Sequence, residues 1–63
     1  MEKTKKHLLC EAWLYCDEND KSTEFMLQYM QDVANVSLDY VIRFIENTTV
    51  DERNKFLNSC ERN

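Results

Sequence analysis

The sequence predicts an all-α chain: a compact bundle of three to four short helices with a helix-turn-helix-like corner in its middle. Three observations lead there. Glycine and proline are absent from all 63 residues, so only the asparagines can supply positive φ cheaply. Sandwiches and barrels need many tight turns, and those turns have no residues here. Apolar residues recur at spacings of three and four, the helical period. Three of these stretches follow a serine or threonine placed to cap a helix: Ser22, Ser37 and Thr49.

Expected helices run over about 6–17, 23–34, 38–47 and 50–60, in one domain spanning 1–63. The first segment, "KKHLLCEAWLYCDE", places Leu8, Leu9, Ala12, Trp13, Tyr15 and Cys16 on one wide face, with Cys10 and Leu14 behind it. A helix apolar on both sides must be covered from both sides or shared with a second chain. A strand is the competing form for this stretch, but a lone strand would have nothing to pair with. A chain this short buries only about 60% of its unfolded surface. A homodimer is therefore expected.

"DENDKS" breaks the chain, and Ser22 caps a second helix with Glu24 in its first turn, where negative charge meets the helix dipole. Phe25, Met26, Tyr29, Met30 and Val33 form the expected core stripe. Asn35 then suits a left-handed helix end, and Ser37 caps the next helix. Val36 and Val41 flank that cap as a hydrophobic staple. Leu38, Val41, Ile42 and Ile45 share one face of the third helix, with Tyr40 and Phe44 as a stripe beside it. Thr49 with Glu52 makes a capping box for the last helix. In that helix Val50, Phe56, Leu57 and Cys60 are the residues expected to dock.

Twelve acids against eight bases give a net charge of −4, and the bases are scattered apart from Lys3, Lys5 and Lys6. Nucleic-acid affinity rests on neutralised phosphates, so this balance argues against nucleic acid and for a protein partner. A nucleic-acid-binding protein with a basic cleft would suit it. Nothing resembles a signal peptide or a membrane span: the apolar run after "MEKTKKHLL" is broken at Glu11 and ends in "DEND". A cytoplasmic, reduced protein is expected. Its three cysteines make a poor disulfide framework, and the sequons at Asn35 and Asn47 are then chance matches.

"DVANVSLDYVIRFIEN", residues 32 to 47, invites a DNA-reading interpretation. "DVA" and "VSLDYVIRF" resemble the lac-repressor-type helix-turn-helix, in which "DVA" and "VS" bracket the turn, although the two pieces stand closer together here. That resemblance implies a second helix lying in the major groove. In a different register, with Asn35 at the turn position where such motifs carry glycine, Ser37, Leu38, Asp39, Ile42 and Arg43 face the bases. Base edges are read by arginine, lysine, asparagine and glutamine, and Arg43 is the lone strong reader in this set. "ANVSLDYVIRFI" is similar to the hinge of the Sin-type antirepressors over about a dozen residues. That likeness implies a bend that holds another protein through apolar faces. Surplus apolar residues point the same way, and Trp13, Leu14, Tyr40 and Phe44 are the expected contacts with a partner or second copy.

Chemistry finds little purchase. His7 and Cys10 could be half a zinc site, but Cys16 falls on another helical face and Cys60 is distant, so no metal is expected. "DENDKSTE" fails as a calcium loop: Lys21 holds the third ligand position, Ser22 the glycine position and Gln28 the place of the bidentate glutamate. With one histidine and no glycine-built oxyanion loop, neither catalysis nor a cofactor is expected. The sequence thus predicts a small acidic, non-catalytic regulatory protein of inhibitor, antirepressor or adaptor type, such as bacteria and phages encode. The alternative is a helix-turn-helix transcription regulator using Ser37, Asp39 and Arg43.

Overall fold

The computed structural model describes the backbone of residues 3–61 and the side chains of 3–60. Four helices follow one another: α1 (Lys5–Glu18), α2 (Thr23–Ala34), α3 (Leu38–Glu46) and α4 (Val50–Glu61). No strand occurs among the described residues. The first segment is helical throughout.

Each helix start has a side chain that satisfies a freed amide. The Thr4 hydroxyl accepts from His7 N–H at 3.2 Å, that of Ser22 from Phe25 N–H at 3.2 Å, and that of Ser37 from Tyr40 N–H at 3.2 Å. At α4 the box closes both ways, with Thr49 N–H donating to Glu52 at 2.9 Å and Glu52 N–H to the Thr49 hydroxyl at 3.0 Å. Helix ends solve the lack of glycine with two left-handed residues, Asp20 (φ 53°) and Asn35 (φ 55°). Asparagine was the expected residue for this role; aspartate shares its tolerance of the region, because its short polar side chain bonds locally. Both turns then close alike: Lys21 N–H reaches Cys16 O at 2.9 Å and Val36 N–H reaches Gln31 O at 3.2 Å.

Packing is organised around α1. Leu9, Ala12 and Trp13 meet Met30 and Ala34 of α2 and Val41 of α3 in one buried cluster. Val36 packs against the same cluster, which puts both staple residues on the core side of the corner. α4 covers the other side of α1. Arg53 reaches Asp17 near the end of α1, while Phe56 lies against His7 and Lys6 near its start, so α4 runs back along α1. Cys10, expected behind the core, is fully buried. One chain therefore covers most of both apolar sides of α1, leaving Leu14 half-buried and Tyr15 exposed.

Arg53 is the residue that composition hides. It is only 2% exposed. Its guanidinium lies 5.1 Å from the Trp13 ring centre, donates to Asp17 at 3.3 Å, and reaches the Asn54 side-chain oxygen at 2.9 and 3.1 Å. The docking stripe of α4 is therefore Arg53, Phe56, Leu57 and Cys60, whereas Val50 is exposed. Arginine can take this place because its stem packs as hydrocarbon and its planar cation stacks on an indole.

Three substitutions probe these contacts. Ser37→Ala should cost about 0.5–2 kcal/mol in urea unfolding, through the amide freed at the start of α3. Arg53→Ala should cost about 1–3 kcal/mol through lost packing and the lost cation–ring contact. Asp17→Ala should cost less than Arg53→Ala, because the Asp17 carboxylate is 59% exposed and without it Arg53 keeps the Trp13 ring and the Asn54 oxygen. Equal losses from the two variants would mean that the ion pair, and not the ring, anchors α4.

A candidate protein-docking face on the third helix

α3 carries more apolar surface than its core contact uses. Val41 is fully buried and Ile45 half-buried, but Leu38 is 45%, Tyr40 46% and Ile42 37% exposed. Leu38 and Ile42 were expected inside with Val41. At 100° per residue they lie on the flank of α3, and α2 reaches only the centre of the stripe. Tyr40 and Phe44 form the opposite flank. With Arg43, Asn47 and Thr48 they line an open groove of about 380 Å³.

Behind that groove stands Trp13. Phe44 meets the indole edge-on, with ring centres 6.3 Å apart, so the groove floor is continuous with the core. The four residues expected at a contact thus divide. Tyr40 and Phe44 share the groove, Trp13 lies buried beneath Phe44, and Leu14 lines a separate hollow of about 190 Å³ with His7, Glu11, Tyr15, Glu18 and Leu57.

Ser37, Asp39 and Arg43 are all solvent-facing. The Ser37 hydroxyl is engaged in the cap, which leaves Asp39 and Arg43 as the free polar groups of the outer ridge. Asn47 holds the end of the helix: its side-chain amide donates to Arg43 O at 2.7 Å, and its backbone N–H donates to the same oxygen at 3.0 Å. A second aromatic set was not foreseen as a surface. Phe25, expected in the core, is exposed and stacks on Tyr29 (5.8 Å), which in turn contacts Tyr15 (5.4 Å).

The titratable groups behave as packing and surface groups. Burial pushes the Cys10 and Cys16 thiols above their ordinary value, so they sit as neutral small hydrophobes. No three His, Cys, Asp or Glu side chains converge among the described residues, nor is any described helix long and apolar enough to cross a membrane. Glu11 is held below the ordinary glutamate value, first by its hydrogen bond from Lys3. The Lys3 ammonium reaches both carboxylate oxygens, at 2.9 and 3.0 Å, and His7 stands at 3.3 Å.

Comparison of the chain with protein-family models, with curated proteins and with solved structures returns no match.

The Glu11 cluster has a pH signature. A carboxylate with a lowered folded-state pKa contributes stability that is complete above its unfolded value and is lost as pH falls through the folded value. The ordinary value is 4.5, so the contribution should disappear below that pH. Urea unfolding of Glu11→Gln should show a shallower acid loss than the parent chain, and identical slopes would contradict the assignment.

Proposed function

We propose that this is a small regulatory protein that acts by binding another protein through α3, as an inhibitor, antirepressor or adaptor does. The observation that carries the reading is the uneven exposure of α3. Half of the exposed large apolar side chains lie on this nine-residue helix: Leu38, Tyr40 and Ile42, out of six that also include Tyr15, Phe25 and Val50. Contiguous apolar surface rimmed by polar groups marks a contact site, and aromatic residues over a firm floor dominate such contacts. The exposed apolar side chains of α3 form two strips, Leu38 with Ile42 on one flank and Tyr40 with Phe44 on the other, and the second strip lines the groove with Arg43 at its rim.

The corner between α2 and α3 supports a second reading, because a left-handed Asn35 and a capped Ser37 also build a helix-turn-helix turn. Its reading face counts against it. Asp39 stands beside Arg43, two aliphatic residues flank them, and the whole chain carries −4.

Two measurements separate these readings. The purified protein should give no retarded band with random duplex at ~0.15 M salt. A salt-sensitive, sequence-selective shift abolished by Arg43→Ala would instead assign α3 to DNA. With the target captured from the native host, Tyr40→Ala should weaken binding by about 2 kcal/mol and leave the fold intact, since Tyr40 is exposed. Arg43→Ala should cost less. Phe44→Ala is the poorer probe, because Phe44 also supports Trp13.

A further inference from the structure

The outer ridge of α3 is complementary to itself. Leu38, Asp39, Ile42 and Arg43 occupy one patch on the solvent side of the helix, all exposed. Asp39 and Arg43 stand one turn apart, yet neither forms an ion pair within the chain among the described residues. An antiparallel two-fold pairing of two such helices brings position i of one copy opposite position j of the other, and j opposite i. A dyad passing midway between Asp39 and Arg43 places each aspartate against the other copy's arginine, twice. The dyad midway between Leu38 and Ile42 lies one residue away, about 1.5 Å along the axis. One rotation therefore satisfies both the charges and the aliphatic contact.

We propose that a second copy of this chain docks on this ridge, α3 against α3 and antiparallel, with Asp39 of each copy paired to Arg43 of the other. The surplus apolar surface that predicts a dimer from the sequence is then on α3, since α1 is covered within its own chain. The contact uses the ridge and the Leu38–Ile42 flank, so Tyr40 and Phe44 stay open on the other flank, and Arg43, which also lines their groove, is shared between the two contacts. The proposal goes beyond target binding and does not depend on it.

A nine-residue helix is roughly 14 Å long, and one such ridge falls short of the about 800 Å² per partner of a standard interface. The dimer is consequently weak, in the class of small transient contacts. Rising salt loosens it, because its charges are near the surface.

Charge reversal tests the arrangement. Sedimentation velocity up to about 1 mM, a concentration at which even a weak contact is populated, should show the parent chain passing from monomer to dimer. Asp39→Arg places arginine against Arg43, and Arg43→Asp places aspartate against Asp39. Each variant alone should lose self-association by at least about tenfold, because like charges juxtaposed at a contact suppress the pairing strongly. Mixing the two variants should restore the dimer as a heterodimer, since every opposed pair is again of opposite sign. Helical circular dichroism of each variant confirms that these surface changes leave the fold in place. A parent chain that stays monomeric over the range, single reversals without effect, or a mixture that fails to recover would each overturn the proposal. Target binding is read separately through Tyr40→Ala, which lies on the opposite flank.

Discussion

The Trp13 indole is the contact on which the arrangement depends. It belongs to α1, it takes the edge of Phe44 from α3, and it takes the guanidinium of Arg53 from α4. Its neighbours in the buried cluster, Met30 and Ala34, belong to α2. One side chain thus touches or adjoins every helix. A chain of 63 residues cannot build a thick core, so a single large aromatic ring with two usable faces and an edge does what several aliphatic residues do in larger domains. Burying an arginine against that ring has a further consequence. It closes the side of α1 that would otherwise need a second chain, and it leaves α3 as the helix with apolar surface to spare.

The turns show a related economy. Without glycine, helix ends must use residues that tolerate positive φ at modest cost, and Asp20 and Asn35 do so with the same closing hydrogen bond. The short connection at Asn35 holds α3 against α2 through Val36 and Val41, which fixes the angle at which the outer ridge of α3 meets solvent. Stability and display are therefore coupled at this corner: the cap that starts α3 also orients the face proposed for binding.

Much of this was legible in the residues. The all-helical class came from missing glycine and proline together with helical spacing, and the capping residues Ser22, Ser37, Thr49 and Glu52 act as their positions imply. What was not legible shares one cause. A stripe read along a single helix does not say how wide its neighbour is. Phe25, Leu38 and Ile42 satisfy the spacing of core residues, yet α1 and α2 cover only the middle of each stripe, so these three are exposed. Arg53 is the converse case, a charged residue in register with Leu57 and Cys60 whose ring partner lies forty positions away. A signal existed: Trp13 and Asp17 stand one turn apart, which together offer a ring face and a carboxylate to one cation. The separation of Leu14 from the α3 groove could not be read either, because its hollow is completed by Leu57 of α4.

One chain closes its own core around Trp13 and leaves the outer face of α3 to solvent. Methyl and aromatic NMR signals of a dilute sample, recorded with a soluble paramagnetic agent, test it most directly. Leu38 and Ile42 should be strongly attenuated, with Val41, Leu9 and the Trp13 ring left sharp. Protected Leu38 and Ile42 methyls in the dilute monomer, or a broadened Trp13 ring, would contradict it.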